Sequence, residues 1–313
     1  MAGTTAQILT GATSGSTLTR DVLLEVKEAF DRQNVFMDKI EVKTITSGHG
    51  AQFIIGGKDT YALAKTQGRS GASTAIGADI DVNDVKLDQR LINITDTVYD
   101  ARRIDGKEEK MAEYDVRAPI TNMIGSVLAQ KMDTLIVTQL GLACEATGIA
   151  GNPNAPAVIV NATIASGSTA KDRGNAMAEA IFKATASLRK VDNYNDVWCA
   201  VDPDQYADLV QSDRAVSVDY TSGNGGIDTG KVLKVGGAMI LETNHLSFAS
   251  NIEGIKGLVF SKEAVGLVKL QDVMTEVNYD FNKFATLMSG RYAIGCGVLR
   301  PECAVAISSS VQS

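Results

Sequence analysis

A chain of 313 residues, 44% hydrophobic and 21% charged, is long enough for one large or two to three smaller packed domains and is not the composition of a disordered chain. A net charge of −7 argues against a dedicated nucleic-acid binder, which gathers positive charge on one face, but not against a surface that merely lies near DNA. The four cysteines (Cys144, Cys199, Cys296 and Cys303) lack CxxC spacing and sit in apolar runs, so they read as buried free thiols in a reducing compartment.

Residues 1–18 are mostly Gly, Ser, Thr and Ala, and read as a flexible arm ordered only where a neighbour holds it. They show neither a basic n-region nor an apolar h-region, and no apolar run approaches the roughly 20 residues that span a bilayer. Neither a leader nor a membrane partner is expected, and the protein is expected in a cytosol. Thr19 is placed as an N-cap, after which Val22, Leu23, Val26, Ala29 and Phe30 form one apolar stripe on a short helix. No compact unit lies nearby in sequence, so Val22, Val26 and Phe30 are expected to bury themselves against a neighbouring subunit.

Residues 40–100 read as a long two-stranded excursion. Ile40, Val42 and Ile45 begin it, residues 51–55 continue it to the turn signal Gly56-Gly57, and the return strand runs over 85–98. The small, polar, Gly-rich stretch 66–84 suits an exposed loop tip, with Arg69, Asp79 and Asp81 as candidate contact residues. So few large apolar side chains cannot make a core of their own, so the hairpin is expected to lie across another surface. Residues 118–147 give the strongest helix pattern. Pro119 suits the first turn, and Ile120, Ile124, Val127, Leu128, Met132, Leu135, Ile136 and Leu140 share one face. At 1.5 Å per residue this is a half-exposed spine of roughly 40 Å, with Gly125 and Gly141 weakening it slightly.

Gly151-Asn152-Pro153-Asn154 breaks the chain, and an alternating α/β pattern follows. Strands are expected over 157–160 and 197–201, and a helix over 171–190 with Met177, Ile181, Ala184 and Leu188 on one face. Asp202-Pro203 reads as an N-cap with proline at the first helical position. A polar loop over 218–229 carries Gly223, Gly225 and Gly226. Short strands over 232–235 and 238–241 then flank the hairpin signal Gly236-Gly237. Near the end, a strand-like run (264–270), a charged Asn-rich turn region (276–283) holding Asn278 and Asn282, and a second apolar run (284–299) lead to Leu299-Arg300-Pro301-Glu302-Cys303-Ala304 and a final strand.

No reactive constellation stands out. Gly225 to Lys231 matches GxxxxGK, but Val232 stands where a Mg²⁺-holding Ser or Thr belongs and no helix is expected next. Asp79, Asp81 and Asn83 imitate a calcium loop, yet Asp84 and Arg90 occupy its glycine and glutamate positions. His49 and His245 are far apart, with no zinc spacing, and no Ser or Cys sits in a nucleophile motif. Neither catalysis, nor a cofactor, nor a metal is expected.

Several stretches, in order, resemble the major capsid proteins of short-tailed phages of the T-seven type. Ile45-Thr46-Ser47-Gly48-His49-Gly50-Ala51-Gln52-Phe53 is similar to that family's Ser-Gly-Lys-Ser-Ala-Gln-Phe lead-in to an extended loop. Tyr114-Asp115-Val116-Arg117 is similar to the residues before its spine helix. Trp198-Cys199-Ala200-Val201-Asp202-Pro203-Asp204-Gln205-Tyr206 is similar to its Tyr-Cys-Asp-Pro-Asp-Ser-Tyr strand-to-helix step. Residues 264–270 and 297–302 match its C-terminal run.

The resemblance implies an α+β Hong Kong 97-like capsid fold. It divides the chain into an N-terminal arm (1–38), an extended β-hairpin loop (39–100), a peripheral domain with the long spine helix (101–150 and 255–295) and an axial domain (151–254 and 296–313). It implies a virion protein, assembled in the host bacterial cytoplasm, that forms pentamers and hexamers of an icosahedral head around double-stranded DNA. The partners it implies are other copies of the chain, a scaffolding protein and a portal protein, with packaged DNA by proximity only. The Gly-rich loop of 218–231 would meet its copies at the ring axes. In some relatives a loop lysine joins a hairpin asparagine, which here would pair Lys58 or Lys65 with Asn278 or Asn282. This branch generally lacks that chemistry, and none is expected. The competing readings are an encapsulin-like cellular shell, which needs an inner groove for cargo peptides, and a cytosolic α/β enzyme, which needs convergent titratable groups.

Overall fold

Two β-sheets divide the chain between them, and one backbone ladder runs through both. The computed structural model describes residues 11–56, 67–68, 74–75, 87–94, 97–111, 117–146, 159–165, 169–190, 196–212, 225–226, 231–232, 234–249 and 254–312. Helix α1 (Gly11–Gln33) is followed by strands β1 (Glu41–Thr44), β2 (Gly50–Gly56), β3 (Gln67–Gly68), β4 (Thr74–Ala75), β5 (Leu87–Asn93) and β6 (Thr97–Asp105). Next come α2 (Gly106–Met111), the long α3 (Arg117–Glu145), β7 (Ile159–Ala165), α4 (Ala170–Lys190), β8 (Val197–Val201) and α5 (Pro203–Val210). The remaining strands are β9 (Gly225–Gly226), β10 (Lys231–Val232), β11 (Lys234–Val235), β12 (Ala238–Glu242), β13 (Ile255–Ser261), β14 (Val265–Asp280), β15 (Ala285–Val298) and β16 (Ala304–Gln312). One sheet has the order β1-β14-β15-β6, the other β11-β12-β8-β13-β16-β7. Short ribbons pair β2 with β5, β3 with β4, and β9 with β10.

The ladder explains how the sheets are joined. β13 pairs antiparallel with β16 from Ile255–Ser308 to Phe260–Ala304, and β14 pairs antiparallel with β15 from Val265–Val298 to Asp280–Ala285. Between them, the Ala264 carbonyl accepts from the amides of Leu299 (3.0 Å) and Arg300 (3.2 Å), and the Arg300 guanidinium meets Glu263 at 2.7 Å. Val265 to Val268 are all buried, as a strand covered on both faces requires. Beyond Gln271 the strand alternates, because its outer face is open to water. The turn region expected over 276–283 is shorter in the structure. Glu276 to Asp280 stay in the ladder, and the chain reverses over 281–284.

Helix α3 lies on the inner face of the four-stranded sheet, within a residue or two of its expected bounds. Ile124, Leu128, Met132, Ile136 and Leu140 are buried, whereas Val127, expected on the same face, is exposed. Helix α1 begins before Thr19, at Gly11, and is not a free element. Val22, Val26 and Phe30 enter the main core with Ile124, Leu128, Met132 and Tyr292 of the same chain. Phe30 meets the Tyr292 ring at 6.1 Å, tilted by 60°, and the Thr121 hydroxyl donates to Glu25 at 2.8 Å. Burial here corrects the expectation that a neighbouring subunit covers this stripe. The crossing is close because Gly125 has no side chain: a Cβ there would stand 2.6 Å from the Val26 carbonyl oxygen and 2.7 Å from the Ala29 Cβ.

The six-stranded sheet carries α4 and α5. At the start of α4, Thr169 and Asp172 bond reciprocally, a capping box with Asp in the Glu position. α5 begins at Pro203 as expected, but the Asp202 side chain makes no cap bond. The start rests on proline's fixed φ and on the Tyr206 amide donating to the Asp202 carbonyl at 2.8 Å. Gly236 (φ 61°) and Gly237 (φ 95°) close the β11–β12 hairpin, both in the left-handed region that a two-residue turn demands. Strand β13 was not separated from its neighbours in the sequence. It lies between β8 and β16, which moves residues 255–261 into the six-stranded sheet rather than the hairpin unit. Similarly, β1 and the first four residues of β6 fall within the stretch assigned to the extended loop, yet both strands pair into the four-stranded sheet.

Candidate subunit interfaces

The β14–β15 hairpin ends in an exposed aromatic pair. Phe281 is 74% exposed and Phe284 64%, with ring centroids 5.6 Å apart. Phe284 adopts φ 47°, a left-handed conformation that costs a residue with a Cβ about 1–2 kcal/mol. Its carbonyl accepts from the Gly106 amide at 3.1 Å, which fixes the tip against the start of α2. Glycine or asparagine would relieve the backbone and remove an exposed ring, so the tip is arranged against the interest of an isolated subunit.

Behind the tip, the face of the sheet away from α3 is mixed. Cross-strand register sets Met274, Arg291 and Tyr99 in one row and Asn278, Leu287 and Arg103 in another. Tyr99, Met274 and Leu287 are exposed, and Arg291 meets Glu276 at 2.7 Å. The β2–β5 ribbon carries a second apolar surface. Its inner side (Ala51, Phe53, Ile55 and Ile92) packs on Val268 and Leu299, so the base of the excursion rests on its own chain. Ile54 and Leu91 point outward and are exposed.

Of the contact residues read from the sequence, Asn278 lies exposed on the hairpin's outer face. Asn282 lies at the tip, where its amide donates to Asp280 Oδ1 at 3.1 Å. Gly225 and Gly226 form β9 and pair with Val232 and Lys231. The resulting ribbon leads to β11 and not to a helix, so the GxxxxGK spacing has no helix N-terminus to hold a phosphate. Arg69, Asp79, Asp81, Gly223, Lys58 and Lys65 lie outside the described residues. Phe281 and Phe284 were not among the candidate contact residues read from the sequence; Phe281 stood in the expected turn and Phe284 at the head of the apolar run that follows it.

The rest of the described surface offers little chemistry. Among the described residues, no group of three His, Cys, Asp or Glu could hold a metal ion, and no helix is long and apolar enough to cross a membrane. Burial pushes the thiols of Cys144 and Cys199 up to about 12, so neither is a nucleophile near neutral pH. Among the described residues, a cleft of ≈470 Å³ lies between β1 and β2 beside Arg300 and Glu263, and one of ≈560 Å³ between α3 and the turn at His245.

Apolar surface left exposed on the hairpin and on the ribbon is the surface of a structural protein that associates with itself. The chain matches the family model "Gp10A-like: Major capsid protein" over residues 64–308, and it belongs to that family. It is 27% identical to the major capsid protein of Escherichia phage T7 (92% of this chain, 90% of the relative). It is 28% identical to that of Enterobacteria phage T3 (90% and 88%). Among solved structures it resembles the capsid of cyanophage P-SCSP1u, with TM-score 0.73, 30% identity and 89% of each chain covered. The mature capsid of bacteriophage PhiM1 shares the fold, with TM-score 0.68 and 18% identity over 90% of this chain and 88% of that one. The α+β fold is therefore the Hong Kong 97-like capsid fold, and the chain is a structural component of a phage shell, not an enzyme.

Proposed function

We propose that this chain closes into rings of five and six copies that together build an icosahedral head around double-stranded DNA. Head-to-tail contacts generate rings where the rotation closes, and permanent contacts of this kind bury upward of about 2,000 Å². The observation that carries this reading is the distribution of exposed apolar surface. It lies at the hairpin tip (Phe281, Phe284), on the hairpin's outer face (Tyr99, Met274, Leu287) and on the ribbon (Ile54, Leu91). Apolar surface along one hairpin and on a separate ribbon suits more than one neighbour. In this reading α3 and the four-stranded sheet form the peripheral unit and the six-stranded sheet the axial unit. The 66–84 loop, with Arg69, Asp79 and Asp81, reaches over an adjacent copy. The segment 218–231, with Gly223 and the paired Gly225 and Gly226, sits near the ring axis, where glycine permits two backbone conformations in two ring sizes. Asn278 and Asn282 contact a neighbour without crosslinking.

Assembly in the host cytoplasm, with a scaffolding protein and a portal, completes the proposal. The net charge of −7 suits a wall that lies beside DNA and releases it. Negative-stain imaging of the purified protein, with and without scaffold, tests the reading. Closed particles with five- and six-fold units support it. Monomers alone at high concentration in both conditions overturn it.

A further inference from the structure

Asp133 lies fully buried in the middle of α3 and accepts from two segments distant in sequence. The amides of Val35 and Phe36, in the turn between α1 and β1, approach its carboxylate at 3.2 and 3.5 Å. The His245 Nδ1, in the 3-10 turn His245–Phe248 between β12 and β13, approaches at 2.9 Å. An ionised carboxylate only accepts, so Nδ1 carries the hydrogen. The arm turn also meets the six-stranded sheet through rings. Phe36 packs on Phe260 at 5.9 Å, and Phe260 on Trp198 of the six-stranded sheet at 6.2 Å.

We propose that Asp133 is a latch that makes the arm turn (34–37) and the His245 turn (245–248) open and close on the spine helix as one unit. Apolar contacts weaken gradually when elements slide. A buried carboxylate behaves differently: losing one donor leaves charge uncompensated and strips value from the bonds that remain. States in which only one of the two turns has left are therefore disfavoured, and the pair has two discrete arrangements. The imidazole is partly exposed and, with Val35, Glu242, Asn244 and Gln130, lines the cleft of ≈560 Å³. That makes His245 the handle: a change on the six-stranded-sheet side reaches the arm through one carboxylate. This coupling is a property of the single chain and stands apart from how many copies form a ring.

Amide hydrogen exchange on full-length subunits and on assembled particles tests it with His245→Ala and His245→Gln. In His245→Ala the amides of Val35 and Phe36 should exchange about tenfold faster or more, alongside those of 245–249, the size expected when one charge-assisted hydrogen bond is lost. His245→Gln keeps an N–H for the carboxylate and should return the arm turn close to its original rate. In the unaltered protein the two turns should share one denaturant dependence of exchange. Faster exchange confined to 243–249, with Val35 and Phe36 unchanged, overturns the latch. So do different denaturant slopes for the two turns in the unaltered protein, a measurement that decides the matter even where His245→Ala fails to fold.

Discussion

Replacing Phe30 by alanine separates two accounts of helix α1. Phe30 is 2% exposed, packs on Tyr292 and shares its core with Ile124 and Leu128, all in the same chain. Truncating a buried phenylalanine costs about 3–5 kcal/mol through lost transfer energy and the cavity left behind. Unfolding entropy of about 2.1 cal/mol/K per residue gives a cooperative chain of this length a shift of about 1.5 °C per kcal/mol. Phe30→Ala should therefore lower the melting temperature of free subunits by about 5–8 °C. Leu24 provides the control, since it lies on the same helix but is 67% exposed, and Leu24→Ala should change stability by less than about 0.5 kcal/mol. Calorimetry on unassembled subunits reads both. An unchanged melting temperature for Phe30→Ala together with loss of particles would refute intrachain docking and return the stripe to a neighbour.

Gly125→Ala should destabilise the subunit although alanine favours helix by about 1 kcal/mol, because overpacking against Val26 and Ala29 costs about 1–3 kcal/mol. A raised melting temperature would show that α1 does not sit on Gly125. Phe284→Gly should hold or raise subunit stability by relieving the left-handed backbone, yet reduce particle yield in sedimentation; unchanged yield would remove the tip from the contacts. Cys144 and Cys199 have folded pKa values pushed by burial from 9.0 to about 12. Their contribution to stability is whole below pH 9 and shrinks as pH rises toward 12, by about 1.4 kcal/mol per pH unit per thiol, because only the unfolded chain ionises there. Melting temperature should fall across that window, less steeply in Cys199→Ala; equal slopes would contradict the burial.

Local signals carried the sequence reading where they sufficed. Pro119 and the stripe through Leu140 marked α3, Asp202-Pro203 marked α5, and Gly236-Gly237 marked a hairpin, because each depends on residues a few positions apart. What escaped depends on distant partners. The docking of α1 needs Gly125 and Tyr292, about 100 and 260 residues further on, and Gly125 read only as a weakness in its own helix. Strand β13 escaped because its short apolar run abuts β14, with only a turn at 262–264 between them, and periodicity does not say which sheet a run joins. The exposed rings of Phe281 and Phe284 escaped because exposure depends on distant neighbours, while by position Phe281 fell in the expected turn and Phe284 at the head of the apolar run.

The ladder that passes from β13–β16 into β14–β15 sets the mechanics of the join. Two strands leave the six-stranded sheet side by side, and the Ala264 carbonyl bonded to Leu299 and Arg300 holds them together there. Rotating the hairpin about its long axis would shear those bonds and separate Glu263 from Arg300. Tilting it perpendicular to the sheet would leave those bonds in place but work against the core that α3 shares with both sheets. The joint is thus braced twice, by backbone bonds against torsion and by the shared core against bending. Each subunit therefore carries its hairpin at one set orientation to the six-stranded sheet, so the hairpin tip is aimed before any neighbour arrives.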